Sequence, residues 1–273
     1  MKSVKHQEMN DGRIYAVVTG ASSGIGWGVA VELAKQGYSI VAVSNQAEAL
    51  AHLKSELEGK YSVTVELIDC DLAKNDAAQK VFGFCEKNKL QVEILVNNAG
   101  VLVYGEVIHI EVGQAKSIMQ LHMNTPAMLC KLFIAKMVKN KKGYILNVSS
   151  ISSVMPFPFI SLYGPTKTFI RQFTKALRFE MHGTGVQVTC LLPGATATAL
   201  YDPEKVNLKL AMKLGVMQSP KDVAKIGVRS LFKGKKECVP GLINKFTMLF
   251  VRIVPDFIIA FIYRKKKHHF VTR

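Results

Sequence analysis

A tyrosine and a lysine four residues apart, Tyr163 and Lys167, form the pair in this sequence best suited to moving a proton. Positions i and i+4 share a helix face, so the ammonium stands beside the phenol and stabilises its ionised form. A free phenol ionises near a pKa of about 10, too high for an efficient base at neutral pH, and an adjacent cation lowers that value. A tyrosine so placed can act as both acid and base. Ser150 lies thirteen residues before it and offers a hydroxyl to a substrate oxygen, with Ser149, Ser152 and Ser153 close by as rivals.

A second cluster, Thr19-Gly20-Ala21-Ser22-Ser23-Gly24-Ile25-Gly26, sits between the apolar run Ile14 to Val18 and a helical stretch from Val29 to Ala34. Glycines in a strand-to-helix turn permit tight backbone geometry and close approach of a diphosphate, and the helix N-terminus adds N–H groups and a partial positive charge. The spacing Gly20-x-x-x-Gly24-x-Gly26 differs from the G-x-G-x-x-G fingerprint. Further apolar runs at Ile40 to Val43, Val63 to Leu67, Ile94 to Val96, Tyr144 to Val148 and Val186 to Leu191 alternate with longer amphipathic segments. That alternation predicts an α/β fold, a doubly wound parallel sheet of Rossmann type. In such a sheet ligands lie at the carboxyl ends of the strands, where the strand order reverses. The glycine run, Ser44, Asp71, Asn97, Ser149-Ser150 and Pro193-Gly194 each follow one of the six runs, so the pattern predicts one site.

The glycine spacing, with Asn97-Asn98-Ala99-Gly100 and Tyr163-Gly164-Pro165-Thr166-Lys167, resembles the short-chain dehydrogenase/reductase family, its motifs running in the family's order from Thr19 to about Thr198. The resemblance implies an NAD(P)(H)-dependent oxidoreductase interconverting a hydroxyl and a keto group. Tyr163 would exchange the proton, Lys167 would lower its pKa and hold the nicotinamide ribose, and Ser150, which alone has the family's separation from the tyrosine, would steady the substrate oxygen. Asn124 would bend its helix and anchor a water of the proton relay. Cofactor contacts are implied at Gly20, Ser22, Ser23, Gly24, Ile25 and Gly26 around the diphosphate, and at Asp71, with the neighbouring Asp69 as a competitor, and Leu72 beside the adenine. Others are implied at Asn97, Ala99 and Gly100 near the adenine ribose, and at Pro193, Gly194, Thr196 and Thr198 around the carboxamide. Pro165 stands where the family more often carries alanine; having no N–H to lose, it is tolerated if the helix begins near Ser161. After the second strand, Ser44 and Asn45 supply neither a carboxylate that would exclude a 2′-phosphate nor an arginine that would hold one. NADP(H) is therefore slightly favoured over NAD(H), with Asn45 nearest the distinguishing group.

A chain of 273 residues, 49% hydrophobic, can build one large core. The expectation is a cofactor-binding and catalytic domain over 1–241 and an apolar, then basic, extension over 242–273. The five cysteines are odd in number and widely spaced, as in a reduced compartment, and the charged residues of the first dozen positions argue against a secretory signal; a cytoplasmic protein is expected. His109, His122 and His182 are far apart in sequence, so no metal site is expected. The net charge of +16 comes mostly from lysines, clustered at Lys131 to Lys142 and in the run Arg264 to Lys267, but no nucleic-acid motif accompanies them. From Leu242 the chain is apolar, yet Arg252, Pro255 and Asp256 interrupt it, which argues against a spanning helix and for a broken amphipathic segment at an anionic membrane surface, a lid over the cleft, or an interface. Apolar residues in Ile151 to Ile160 and Tyr201 to Val216 flank the expected site. They fit a bulky hydrophobic alcohol or ketone, steroid-like or bile-acid-like first and a long-chain 3-oxoacyl thioester second. Family resemblance implies a homodimer or homotetramer through helices at about 113 to 138 and 161 to 182. A dinucleotide sensor or scaffold without turnover is the reading of a different class.

Overall fold

The computed structural model describes residues 12–198, 212, 217–251 and 253–267. Seven parallel strands form one sheet in the order β3-β2-β1-β4-β5-β6-β7. They are β1 (Ile14–Thr19), β2 (Ser39–Ser44), β3 (Val65–Asp69), β4 (Gln91–Asn97), β5 (Gly143–Val148), β6 (Val186–Leu191) and β7 (Glu237–Cys238). The order reverses between β1 and β4, which opens a crevice at their carboxyl ends.

The strands read as continuous apolar runs because helices cover both faces of the sheet. Successive side chains alternate faces. Ala16 and Val18 of β1 pack with α1 (Gly24–Ala34), α2 (Ala47–Lys60) and the helix Pro220–Phe232, while Tyr15 and Val17 pack with α3 (Ala77–Lys87), α5 (Thr125–Lys139) and α6 (Tyr163–Glu180). We call Pro220–Phe232 α7. A Cβ at Gly28 of α1 would come within 2.8 Å of the Ala224 Cβ on α7, so the two helices pack at a glycine's distance.

One long helical run crosses the second face: α4 (Val112–Met119), a π-helical turn (Gln120–Asn124) and α5. Its neighbour α6 is tied to the sheet edge by charge. Arg171 makes a two-pronged pair with Glu237 of β7, Nε to Oε1 at 2.8 Å and Nη2 to Oε2 at 2.9 Å. Arg178 donates to the carbonyls of Val188 and Gly234, both at 2.8 Å.

Three expectations shift. The third strand begins at Val65 rather than Val63, because pairing with β2 starts at Val65 opposite Ile40. The helix carrying the tyrosine begins at Tyr163, two residues later than the expected Ser161. The two-residue β7 had no apolar run to announce it. Beyond β7 lie α8 (Leu242–Val251) and α9 (Asp256–Lys267), and Leu242–Val251 with Asp256–Lys265 forms a pair bent by 110°. Among the described residues no single helix is long and apolar enough to cross a membrane.

Candidate active site

The first turn of α6 presents Tyr163, half-buried, with Lys167 buried one turn later. The Lys167 ammonium lies 5.7 Å from the centroid of the Tyr163 ring and donates to the Val148 carbonyl at the end of β5, at 3.1 Å. Burial lowers the Lys167 pKa from 10.5 to about 8. Most of these ammonium groups are still charged at neutral pH. Ser150 caps the short 3-10 turn Ile151–Val154 that follows β5, its Oγ accepting from the Ser152 N–H at 3.1 Å. The neighbouring serine is spent elsewhere: Ser149 is buried and its hydroxyl donates to the Lys167 carbonyl at 2.7 Å. Ser152 and Ser153 are also buried. Of the four serines, Ser150 alone is not buried.

Facing this cluster across the crevice is the turn between β1 and α1. Gly20 and Gly24 have φ of +64° and +57°. A Cβ at Gly20 would fall 2.8 Å from the Ala99 Cα, one at Gly24 would fall 2.9 Å from the Thr198 Cγ2, and one at Gly26 would fall 2.0 Å from the Gly20 carbonyl oxygen. Side chains there would close the turn. Ser23 precedes α1 without a side-chain hydrogen bond to the helix, and Ile25 is half-buried in its first turn. Ser22 is buried and accepts from the Ser44 hydroxyl at 2.9 Å, which pins the turn to the end of β2, where Asn45 is exposed.

The segment after β4 lies against the same turn. Thr19 Oγ1 receives the N–H groups of Asn98 and Ala99 at 2.9 and 3.1 Å, and the Asn98 amide donates to the carbonyl of Thr19 at 3.0 Å. Asn97 turns inward: it is buried, and its amide donates to Asn147 Oδ1 at 2.8 Å. Asn147 Nδ2 in turn donates to Thr174 Oγ1 of α6 at 2.9 Å. Asp71 is exposed and takes the Ala73 N–H at 2.9 Å, while Leu72 is buried with its carbonyl bonded to Thr125 Oγ1 at 2.8 Å. Pro193 accepts the Ile151 N–H at 3.0 Å, joining the loop after β6 to the serine turn. Thr196 Oγ1 donates to the Gly194 carbonyl at 3.0 Å and Thr198 Oγ1 to the Thr196 carbonyl at 3.3 Å. A family model described as short chain dehydrogenase matches residues 15–208, the span that carries all of these groups. The chain belongs to the short-chain dehydrogenase family.

Two proteins illustrate its relatives. Human very-long-chain 3-oxoacyl-CoA reductase is 35% identical over 199 residues, covering 71% of this chain and 63% of that protein. Human 17-beta-hydroxysteroid dehydrogenase type 3 is 32% identical over 191 residues, covering 68% and 60%. This short-chain dehydrogenase thus matches less than two thirds of the length of those curated relatives. Among solved structures, a 7beta-hydroxysteroid dehydrogenase shares the fold with a TM-score of 0.81 over 90% of this chain and 95% of that one, at 22% identity. A short-chain dehydrogenase from Sphingobium yanoikuyae in complex with NADPH gives 0.77 over 87% and 92%, at 23% identity.

One expected member of the site of this short-chain dehydrogenase stands apart from it. Asn124 ends the π turn, so the helix is irregular there, but its side chain is exposed and donates to Gln120 Oε1 one turn back at 3.0 Å. His122 faces the site instead: it is 1% exposed, and its ring meets the Tyr163 ring edge-on with centroids 5.6 Å apart. The sequence carried a signal for this. Ile118, His122, Thr125 and Leu129 follow a 4-3-4 spacing and form the buried face, whereas Asn124 lies two residues on, about 200° around a regular helix. The apolar segment Tyr201 to Val216, expected to flank the substrate, lies outside the described residues except for Met212.

Proposed function

We propose that this short-chain dehydrogenase is an oxidoreductase interconverting a hydroxyl and a keto group on a bulky hydrophobic substrate, steroid-like or bile-acid-like, with NADP(H) favoured over NAD(H). The observation that carries the reading is the convergence of Tyr163, Lys167 and Ser150 on one side of the crevice with a glycine turn on the other, in a chain of this family. The residues fit a dinucleotide: Gly20, Gly24 and Gly26 leave room that a Cβ would fill, α1 opens with N–H groups and no side-chain cap, and β2 ends without a carboxylate. When bound, the nicotinamide supplies or accepts the hydride. The protein's part is the proton and the charge. Tyr163 gives its phenolic proton to the oxygen of a ketone as that oxygen gains charge, and takes it back in the oxidation direction. The Lys167 ammonium favours the ionised phenol and offers N–H groups to the cofactor's ribose hydroxyls. Ser150 donates to the substrate oxygen and holds it within reach of Tyr163.

The Pro-Phe-rich loop 155–159 supplies an apolar wall, with Phe159 stacked on Tyr104 at 5.8 Å between centroids and meeting the tilted ring of Tyr263 at 5.4 Å. A second reading, reduction of a long-chain 3-oxoacyl thioester, is favoured by the 3-oxoacyl-CoA reductase relatives and by the net charge of +16, which would attract a phosphorylated carrier. Cofactor consumption by wild type and Tyr163→Phe, with NADPH and NADH in parallel against steroid ketones and 3-oxoacyl thioesters, separates the readings. Turnover that survives Tyr163→Phe sinks the mechanism, and cofactor binding without any turnover favours a sensor or scaffold.

We further propose that residues 242–273 act as an extension to a domain of residues 1–241 and bring an otherwise cytoplasmic protein to an anionic membrane surface. Phe250, Phe257 and Phe261 of α8 and α9 are 58%, 72% and 66% exposed, and Arg264 and Lys265 follow on α9. Such a face gains from burial in lipid and from anionic headgroups. The bent pair reaches the rim of the crevice: Asn244 of α8 sits where a Cβ at Gly194 would meet it at 2.2 Å, and the Tyr263 hydroxyl of α9 bonds to Glu106. Anionic vesicles should pellet the full chain and release it when Phe250 and Phe257 become Glu. Equal pelleting of the two proteins would overturn the idea. Assembly into a homodimer or homotetramer through α4–α5 and α6 belongs to the same proposal and is read by sedimentation equilibrium.

A further inference from the structure

His122 is a buried imidazole that the mechanism above does not use. Its Nε2 lies 3.0 Å from the backbone N–H of Val101, just past the Asn97-Asn98-Ala99-Gly100 segment. Its Nδ1 lies 3.0 Å from Thr166 Oγ1 on α6, and Thr166 Oγ1 lies 2.8 Å from the Tyr163 carbonyl. A backbone amide can only donate, so Nε2 carries the lone pair and the neutral ring's proton sits on Nδ1. Nδ1–H therefore donates to Thr166 Oγ1, and the threonine hydroxyl donates to the Tyr163 carbonyl. Each donor in the series has one acceptor.

We infer that His122 is a positioning residue, a neutral imidazole strut that fixes the segment after β4 against the first turn of α6. The inference rests on the reading of Tyr163 and Lys167 as the proton-transfer pair. Its consequence is geometric: the strut holds the Gly100–Val101 side of the crevice, where a cofactor would rest, at a set distance from the phenol. Gly100 completes the contact, since a Cβ there would stand 3.0 Å from His122 Nε2 and 3.5 Å from Lys167 Nζ. The ring does not relay a proton, because both nitrogens are engaged within the protein. The ionisable groups facing it are Lys167 and Tyr163, both on α6, and the segment after β4 meets it with the Val101 N–H. Burial and the Lys167 charge hold the His122 pKa well below its usual range.

The two hydrogen bonds can be removed one at a time. His122→Asn places an amide where Nδ1 stands and keeps Thr166 as its partner, but is too short to reach Val101. His122→Gln reaches the Val101 N–H with its oxygen and abandons Thr166. A neutral hydrogen bond contributes about 1 kcal/mol, equivalent to roughly fivefold. The Asn variant should weaken NADPH binding about fivefold with kcat within twofold, and the Gln variant should lower kcat about fivefold with NADPH affinity within twofold. Nitrogen NMR of the full-length wild type, with 15N-labelled histidine, should show His122 as the Nδ1–H tautomer, unchanged from pH 5.5 to 8.5. An Nε2–H tautomer, a titration within that range, or two variants that alter affinity and kcat alike would overturn the strut. The NMR readout needs no turnover. Absence of Tyr163-dependent turnover with the Nδ1–H tautomer present would therefore overturn the oxidoreductase reading alone.

Discussion

Replacing Lys167 by Met should make the protein more stable and inactive at once. Burial moves the lysine's pKa from 10.5 to about 8, so the folded protein binds its ammonium proton more weakly than the unfolded chain does. At about 1.4 kcal/mol per pH unit, the charged form costs the folded state about 3 kcal/mol at pH 7. Methionine has a similar length and carries no charge, but it abandons the 3.1 Å bond to the Val148 carbonyl, a loss of about 1 kcal/mol. The expected net gain is about 2 kcal/mol, or a rise in Tm of about 4 to 8 °C for a domain of this size. The sign with pH follows from the depressed value. Unfolding takes up a proton between pH 8 and 10.5, so the wild type gains stability as pH rises through that window, while the variant does not. Urea denaturation of both proteins at pH 7 and pH 10.5 measures the gap. It should favour the variant by about 2 kcal/mol at pH 7 and the wild type by about 0.5 kcal/mol at pH 10.5, where the charge cost has largely gone and the lost Val148 bond outweighs it, with turnover lost in the variant at every pH. A variant less stable than wild type at pH 7, or a gap that persists unchanged to pH 10.5, would refute the argument that a charge is held in this site at the expense of stability.

The same structure sets other expectations. Ser150→Ala should lower kcat by about a hundredfold and, by removing the cap on the Ser152 N–H, cost about 1 kcal/mol, whereas Ser149→Ala, which removes the bond to the Lys167 carbonyl, should cost a similar amount of stability with a far smaller loss of kcat; thermal melts beside kinetics read both. Gly24→Ala forces a side chain to φ +57° and to 2.9 Å from Thr198, so NADPH titration should show affinity reduced tenfold or more, with a stability loss of about 1–2 kcal/mol in denaturation. Asn147→Leu strips buried partners from Asn97 and Thr174 and should cost about 3 kcal/mol in urea.

How much of this was legible in the sequence follows from which forces leave a local trace. Strands covered on both faces must be apolar along their length, so the runs at Ile14, Ile40, Tyr144 and Val186 marked four of them closely, while the run at Ile94 marked only the inner part of β4, whose first residues Gln91 and Val92 are not buried. Val63 is apolar for a different reason: it is buried under α2's side of the sheet before ladder pairing begins, and burial without pairing looks the same in sequence. The edge strand β7 is two residues long and held by Cys190, Leu191 and the Arg171–Glu237 pair, none of which is local to it. Asn97 reads as a binding residue by motif, yet its amide is committed to Asn147, fifty residues away, a partner no local pattern names.

The contrast between Asn124 and His122 shows where motif and physics part. The family resemblance implied a helix bent at Asn124, and the π turn is there. The bend does not decide which side chain enters the site; that follows from the phase of the buried face, which admits His122 and turns Asn124 to solvent. A polar residue on such a face must find partners, and His122 finds one on each wall of the crevice, Val101 and Thr166. Below it, Asn97, Asn147 and Thr174 make a second polar bridge, from β4 through β5 to α6. Both connections end on α6, one beside Lys167 and one two turns further along. The helix that carries the proton-transfer pair is thereby set by directional bonds at two levels, whereas apolar packing alone would let it slide. Loss of either level should therefore act first on the angle and depth of α6 and only then on the fold.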